Sequence, residues 1–132
     1  MIAVDTSALM AILLDEPAAD ACIEILQGEG EILISAATVA EALIVARRRN
    51  VGDAMLRLIR GLGLTVVPVS QAAAERAADA SDRWGKGIHP AALNFGDCFA
   101  YAAAKEQVCP LLHVGDDFAR TDIESALRRP PI

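Results

Sequence analysis

Short apolar segments with strand character alternate along the chain with segments long enough to form helices. The strand candidates are residues 2–4, 31–34, 65–69 and 111–114. The long connections between them allow helical crossovers, which return each strand parallel to the previous one. The pattern predicts an α/β fold of three layers, α/β/α, around a parallel sheet of four or five strands, with residues 1–132 as a single domain. Ligands of such folds bind beyond the carboxyl ends of the strands, where the strand order reverses.

Capping residues locate several of the helices between these strands. Asp15, followed by Pro17, predicts a helix start, because Asp is a good N-cap and Pro is tolerated in the first helical turn. Ser70 and Asn94 predict the starts of two Ala-rich helices. Further helices are expected at residues 35–49 and about 53–61, where apolar residues recur at helical spacing. Every strand is thus followed or preceded by a helix.

Composition limits the classes of protein to which the chain can belong. A hydrophobic share of 54% indicates a folded domain with a packed core. The longest apolar run, residues 8–14, is too short to span a membrane, and no basic leader precedes Asp5, so we expect a cytoplasmic protein. The three cysteines have no spacing typical of a disulfide framework or a zinc site. The net charge of −6 means that any nucleic acid must be held by local basic residues and metal.

Acidic residues follow the predicted strands at the edge of the sheet where ligands bind. Asp5 comes directly after the first strand, and Asp116 and Asp117 follow the last strand after one glycine. Asp97 lies in the first turn of the helix before that strand, and Glu41 lies early in the helix after the second strand. Carboxylates gathered in one crevice repel each other and lose hydration, unless a cation neutralises them. Mg²⁺ suits such a cluster, because it takes oxygen ligands and usually one or two carboxylates plus water.

Each acid also has a purely structural explanation. Asp5 could cap the helix after the first strand, and Asp97 could complement the dipole of its own helix. Glu41 follows Thr38 at the spacing of a capping box, which favours a structural role when it is considered alone. The paired aspartates after the last strand could simply form a turn. The occurrence of all of them together is what favours a metal site.

Four segments together resemble a known family. They read, in order, IAVDTSAL, ISAATVAE, WGKGIHPAALNFGDCFAYA and LLHVGDDFARTDI, and they span nearly the whole chain. These motifs resemble those of the PIN-domain toxins called VapC, which are the partners of VapB antitoxins. A single VDTS motif would be weak, but four motifs in this order are specific.

The resemblance implies a metal-dependent endoribonuclease that uses one or two Mg²⁺ or Mn²⁺ ions. Its acidic ligands correspond here to Asp5, Glu41, Asp97 and one aspartate of the Gly-Asp-Asp-Phe turn. The family pattern is Gly-x-Asp-Phe, so Asp117 matches the motif and is preferred, although Asp116 lies closer to the strand end. The resemblance also implies a cognate VapB-like antitoxin, a homodimer, and tRNA or rRNA as the substrate that is cleaved to arrest growth.

Several polar residues near the acids are candidates for secondary roles. Thr6 and Ser7 could hydrogen-bond a ligand carboxylate or a phosphate, or could simply begin a helix. Lys86 and His89 lie in a glycine-flanked loop and could contact the RNA backbone, or the loop could merely be exposed. Asn94 could contact substrate, but helix capping is favoured.

Asp122 has two interpretations of its own. It could support the acidic ligands from behind, or it could cap the terminal segment.

Two other functions compete with the nuclease hypothesis. A receiver domain also gathers acids around Mg²⁺, but it needs an aspartate after the third strand, and here Val69 and Ser70 occupy that place. A scaffold that only binds partners would be favoured by loss of acids. All four expected acids are present, so the nuclease hypothesis is preferred.

Overall fold

The computed structural model describes residues 1–128 of the chain, with only the backbone described at residue 128. Within this part, four strands and six helices follow one another, with two short 3₁₀ turns near the end. The strands are β1 (Ile2–Val4), β2 (Ile32–Ser35), β3 (Thr65–Val67) and β4 (Leu111–Leu112). The helices are α1 (Thr6–Leu13), α2 (Ala19–Gly28), α3 (Ala36–Arg48), α4 (Gly52–Gly61), α5 (Gln71–Trp84) and α6 (Phe95–Glu106).

The strands form one parallel sheet in the order β3-β2-β1-β4. In register, Ile2 pairs with Ile32 and Ala3 with Leu111, so β1 lies between β2 and β4. The chain moves outward from β1 through β2 to β3 and then crosses back to the other side of β1. The strand order therefore reverses between β1 and β4, and the predicted ligand edge is the carboxyl end of these two strands.

Helices cover both faces of the sheet, which confirms the predicted three-layer fold. In β1 the side chains of Ile2 and Val4 belong to a core with α1, α2, α3 and α4. The side chain between them, Ala3, belongs to a second core with α5 and α6. This alternation is the two-residue period of a strand that is buried on both faces. Within residues 1–128, no helix is long and apolar enough to cross a membrane.

Several predicted boundaries were wrong, among them the end of β4, which is Leu112 rather than residue 114. Strand β3 ends at Val67 rather than at residue 69, since Pro68 has no N–H with which to continue the ladder. Asp15 does not cap α2, which begins at Ala19 after a residue that forms no side-chain cap. Asp15 instead follows α1 with φ at +51°, a left-handed conformation that Asp tolerates better than most residues.

Asp122 takes part in a hydrogen-bonded chain that joins the helices of the second layer to the C-terminal segment. Trp84 Nε1 donates to the Tyr101 hydroxyl over 2.9 Å, and that hydroxyl donates to the Asp122 carboxylate. Lys105 Nζ donates to the other oxygen of Asp122 over 3.1 Å. Burial and the hydrogen bond to Asp122 raise the pKa of Tyr101 to about 12, so the phenol remains a donor.

These contacts correct the expectation that Asp122 supports the acidic ligands. Its carboxylate is occupied by Tyr101 and Lys105, from the middle and last turn of α6. Nor does it cap the terminal segment, because the nearby amide of Ile123 donates to Thr121. Asp122 therefore anchors the segment after β4 to the outer side of α6.

Replacing Tyr101 with Phe should destabilise the protein by about 1–3 kcal/mol. The change leaves Trp84 Nε1 buried without an acceptor and removes a donor from Asp122. Urea unfolding of the two proteins measures the difference. Val69→Ala, at a side chain that is 40% exposed, serves as a control with little expected change. Equal stability of Tyr101→Phe and the wild type would contradict this role for the hydrogen-bonded chain.

Candidate active site

Asp5 lies at the carboxyl end of β1 and also caps α1. Its Oδ2 accepts hydrogen bonds from the Ser7 amide over 3.0 Å and from Ser7 Oγ over 2.7 Å. The capping role considered from the sequence is therefore real. It uses only one carboxylate oxygen, however, since Oδ1 is buried and has no hydrogen-bond partner. An unpartnered carboxylate oxygen in a side chain that is 3% exposed is a natural position for a cation.

Ser7 joins the ends of the two strands between which the sheet order reverses. Its hydroxyl donates to Asp5 and accepts a hydrogen bond from the Val114 amide over 3.0 Å. Val114 lies just beyond β4. Ser7 therefore hydrogen-bonds Asp5, one of the predicted ligands, and fixes it relative to the last strand.

Glu41 is brought to Asp5 by a contact between α1 and α3. The Thr6 hydroxyl donates to Glu41 Oε1 over 2.6 Å. The capping box proposed for Thr38 and Glu41 is wrong, because α3 begins at residue 36 and is capped by Ser35, whose side chain accepts from the amide of residue 37. Glu41 therefore lies in the second turn of the helix, and its side chain is directed to the site rather than to its own backbone.

Asp97 lies in the first turn of α6 and is held there by a capping box. Asn94 Oδ1 accepts from the backbone N–H of Asp97 over 2.9 Å, and Asp97 Oδ2 accepts from the backbone N–H of Asn94 over 3.1 Å. The capping role considered for Asn94 is thus confirmed, and Asp97, considered only as an acid near the helix dipole, also takes part in the cap. As in Asp5, a buried carboxylate uses one oxygen to begin a helix, while its position places it among the other acids.

Charge interactions show that four acids share one region. Burial raises the pKa of Asp5 to about 6, and the charge of Glu41 contributes to the rise. Burial also raises the pKa of Asp97 to about 7, with further contributions from the charges of Asp5, Glu41 and Asp117. The hydrogen bonds from Ser7 and Asn94 oppose these shifts without cancelling them. The cluster therefore holds more negative charge than its own hydrogen bonds stabilise.

The turn after β4 presents the two neighbouring aspartates differently. Gly115 has φ at +104°, a backbone conformation that favours glycine, and Phe118 is buried and anchors the far end of the turn. Asp116 and Asp117 are both exposed between them. Of the two, Asp117 is the residue whose charge raises the pKa of Asp97. The geometry thus favours the residue that the family motif also favours.

The loop between α5 and α6 leads to the helix that carries Asp97, and it contains the predicted basic contacts. His89 is partly engaged within the loop, since its Nδ1 accepts from the Ala91 amide over 3.0 Å and its ring meets the edge of Trp84. Lys86 is exposed. Together with Asn94 and residues of α5 and α6, it lines a groove of about 700 Å³. The positively charged side chain of Lys86 thus lies on a groove that reaches the start of α6.

One residue of the site was missed by the sequence analysis. Gly96, between Phe95 and Asp97, has the Glu41 carboxylate lying directly against its Cα, where any side chain would begin. The sequence signal was slight, since it consists only of a glycine in the first turn of a helix, where alanine would be the better helix former.

A hydrated divalent cation fits this donor set better than a fully protein-bound one. Within residues 1–128, no three His, Cys, Asp or Glu side chains are close enough to hold one ion together. The unpartnered Oδ1 of Asp5 and the mutual repulsion of the acids nevertheless call for positive charge. Mg²⁺ commonly keeps several waters and takes one or two carboxylates directly. The carboxylates present therefore fit such an ion.

The residues that build this site lie inside a stretch that matches a known family. The model of the PIN domain aligns with residues 2–124. The chain belongs to the PIN-domain family. This assignment confirms the resemblance that the four sequence motifs indicated.

Individual relatives resemble this PIN domain over nearly its full length. Ribonuclease VapC36 of Mycobacterium tuberculosis is 44% identical over 125 residues, which cover 92% of this chain and 90% of the relative. Ribonuclease VapC28 of the same organism is 40% identical over 130 residues, which cover 96% and 98%. Identities of this size over nearly the whole chain place it in the VapC family of PIN domains.

Solved structures of low sequence identity support the fold. The structure of M. tuberculosis VapC20, described as a toxin that cleaves the sarcin–ricin loop, has a TM-score of 0.76 at 16% identity and covers 93% of this chain and 96% of its own. VapBC2 from Rickettsia felis, solved with a DNA fragment from its promoter, has a TM-score of 0.69 at 17% identity, with coverages of 95% and 96%. At these identities the likeness concerns the fold alone.

The raised pKa values predict how the metal-free PIN domain responds to pH. In the unfolded chain Asp5 and Asp97 lose their protons around the ordinary aspartate pKa of 3.8, whereas in the folded protein they keep them to higher pH. The folded state therefore becomes less stable relative to the unfolded state as the pH rises from about 4 toward about 7. Asp97→Asn removes one of these charges and keeps an oxygen for the helix cap. Relative to the wild type, this variant should therefore gain stability between pH 5 and pH 8, on the order of a few kcal/mol.

Urea unfolding in the presence of a chelator measures this difference at the two pH values. Asp116→Asn, at an exposed aspartate of the same site, is the control and should follow the wild type. A pH dependence that is the same in Asp97→Asn and the wild type would contradict the inferred protonation of Asp97.

Proposed function

We propose that this PIN domain is a metal-dependent endoribonuclease and the toxin of a toxin–antitoxin pair, which arrests growth by hydrolysing RNA phosphodiester bonds. The observation on which the proposal rests is the buried acidic cluster at the β1/β4 edge, with an unpartnered oxygen on Asp5. The names of the relatives, which are VapC ribonucleases, support the same reaction class. A scaffold that only binds partners would gain nothing from desolvated carboxylates, whose burial is costly without a cation.

Asp5 and Asp97 are the proposed direct ligands of Mg²⁺ or Mn²⁺, because they are the buried acids whose charges are least satisfied. Glu41 and Asp117 would act through water or hold a second ion. A bound divalent cation lowers the pKa of water and stabilises negative charge on a phosphoryl group. Asp116, the remaining candidate ligand, is assigned no direct role, because it is exposed and Asp117 is the aspartate coupled to Asp97.

The other polar residues of the site hold these carboxylates in place. Ser7 fixes Asp5, Thr6 fixes Glu41, and Asn94 fixes Asp97. Each carboxylate thus keeps one orientation before substrate arrives, which lowers the cost of organising the reaction. We propose that either Glu41 or Asp117 orients the attacking water and accepts its proton, because neither needs to begin a helix.

RNA would approach along the groove between α5 and α6. Lys86 is exposed on that groove, and Asn94 connects it to the acids. His89 would assist through its Nε2, since its Nδ1 is used within the loop. Local contacts of this kind are required, because a chain with a net charge of −6 does not attract RNA as a whole. We propose a structured RNA, tRNA or rRNA, as the substrate.

The proposed partner is a VapB-like antitoxin in the cytoplasm, bound to a homodimer of this chain. Some of the structurally similar proteins are described as toxin–antitoxin complexes, which supports such a partner. An Arg or Lys of the antitoxin would pair with the acids and exclude both metal and substrate. An apolar helix of the antitoxin would pack on the faces of residues 15–27 and 36–46, where Ile44 and Val45 are exposed.

Asp97→Asn and Asp117→Asn should each lower the rate of RNA cleavage by about 100-fold or more, because each removes negative charge from the reacting region without removing volume. Asp97→Asn should also relieve growth arrest. Cleavage of a defined RNA by the purified proteins in Mg²⁺ measures the effect.

Asp116→Asn is the matched control for these variants and should retain cleavage within a few fold of the wild type. If Asp116→Asn loses activity while Asp117→Asn keeps it, the assignment within the turn is reversed. If Asp97→Asn cleaves RNA at the wild-type rate, the proposed active site is wrong.

Co-expression with the protein encoded next to this chain should give a stable complex that does not cleave RNA. Replacing the site-facing Arg or Lys of that partner with Ala should leave the complex intact but restore a large part of the cleavage, because the acids are no longer neutralised. Co-purification and a cleavage assay test both points. A complex that cleaves RNA at the rate of the isolated toxin would contradict inhibition at this site.

A further inference from the structure

The Glu41 carboxylate lies against the first turn of α6 in a space that exists only because residue 96 is glycine. An ideal Cβ built on Gly96 would lie 2.5 Å from Glu41 Cδ and 3.0 Å from Oε1, and closer still to Oε2. Oε2 and the carboxyl carbon would therefore overlap with any side chain at this position, and Oε1 would be in tight contact with it. Glu41 and the backbone of α6 are in direct contact across the junction of α3 and α6.

This relation is particular to Gly96. A Cβ at Gly85 would meet the backbone of Ser81, and one at Gly52 would meet the side chain of Arg47. The remaining glycines, all within the described part of the chain, have nothing within 4 Å of the position of a Cβ. Among the described glycines, only Gly96 has a carboxylate of the acidic cluster in the space that a side chain would occupy.

Helix formation does not explain a glycine at this position. Gly96 follows the N-cap by two residues, inside a regular helix, and its φ is not in the left-handed region that requires glycine. In such a place glycine destabilises a helix relative to alanine, because it loses more conformational freedom on folding. The glycine therefore serves the neighbouring side chain rather than its own backbone.

Glu41 needs such a constraint because its side chain is long and only partly buried. The hydrogen bond from Thr6 holds Oε1 from the side of α1. The flat surface at Gly96 confines the same carboxylate from the side of α6, next to Asp97. The amino end of a helix also favours a nearby negative charge, so the carboxylate gains from close approach.

We propose that Gly96 is a positioning residue, whose lack of a side chain lets Glu41 lie against α6 within reach of the site that Asp5 and Asp97 form. The proposal rests on the proposed nuclease function for its catalytic consequence, but the packing itself does not depend on it. Any side chain at residue 96 displaces the carboxylate, weakens its bond to Thr6, and moves its charge away from Asp97. The helix itself remains, because alanine favours it.

The experiment compares Gly96→Ala with Gly61→Ala, a control at the end of α4 where a Cβ meets nothing. Two quantities are measured on the full chain. The first is the rate of RNA cleavage in Mg²⁺. The second, measured without RNA, is the Mn²⁺ concentration that gives half of the maximal rise in melting temperature. Gly96→Ala should lose cleavage by about 10-fold to 100-fold and should need about 10-fold more Mn²⁺, whereas Gly61→Ala should match the wild type. Wild-type values for Gly96→Ala in both readouts would overturn the proposal.

A double-mutant cycle with Glu41 separates positioning from a general effect of the alanine. Glu41→Asp shortens the side chain, so by itself it should lower the rate of RNA cleavage. In the Gly96→Ala background the same change should lower the rate little or raise it, because the shorter side chain no longer overlaps the new methyl group. Additive losses in the two variants would overturn the proposal.

Stability supplies a test that remains available if Gly96→Ala folds poorly. If the new methyl group destabilises the protein by overlapping Glu41, then Gly96→Ala/Glu41→Ala should recover the melting temperature of Glu41→Ala alone. Failure to recover would show that the damage lies elsewhere and would overturn the proposal. If the wild type does not cleave RNA but the Mn²⁺ response and the stability cycle behave as described, the nuclease function fails while the role of Gly96 stands.

Discussion

Burial of carboxylates at the edge of the sheet is the constraint around which the rest of the site is arranged. Asp5 and Asp97 are almost fully excluded from solvent, and burial is the main cause of their raised pKa values. Each is partly stabilised by the start of a helix, through the amides of Ser7 and Asn94. Those bonds satisfy only part of each charge. The negative charge that these bonds do not satisfy favours the binding of a cation at this edge of the sheet.

The topology of the sheet explains why these acids can meet. β1 is flanked by β2, to which its own crossover leads, and by β4, which the chain reaches by crossing back from β3. Asp5 leaves β1 at the centre, and the turn that contains Asp117 leaves β4 beside it. Ser7 fixes the distance between the two strand ends by bonding both Asp5 and the Val114 amide. A crevice at the strand reversal thus follows from strand order, and a short polar side chain makes it rigid.

Much of this arrangement could be predicted from the sequence because it depends on local patterns. Short apolar runs give the strands, and an acid that directly follows a strand of a parallel sheet must lie at its carboxyl edge. Glu41 was harder, since its spacing from Thr38 mimics a capping box and its true partner, Thr6, is 35 residues away. Asp122 was misjudged for the same reason, because its partner Tyr101 lies on another element. For Gly96 the sequence offered only a glycine in the first turn of a helix, and its role becomes visible only from the packing of α3 against α6.

The two hydrophobic cores give the site a property that no single residue has. Asp5 caps α1 and Glu41 lies in α3, and both helices pack on one face of the sheet. Asp97 lies in α6, which packs on the other face. The acids are therefore together only while both outer layers are docked on the strands. A chain in which one outer layer is not docked, during synthesis or partial unfolding, holds Asp97 apart from Asp5 and Glu41 and lacks the complete site. The acidic cluster is in this sense a property of the finished fold, because no single layer contains all of its members.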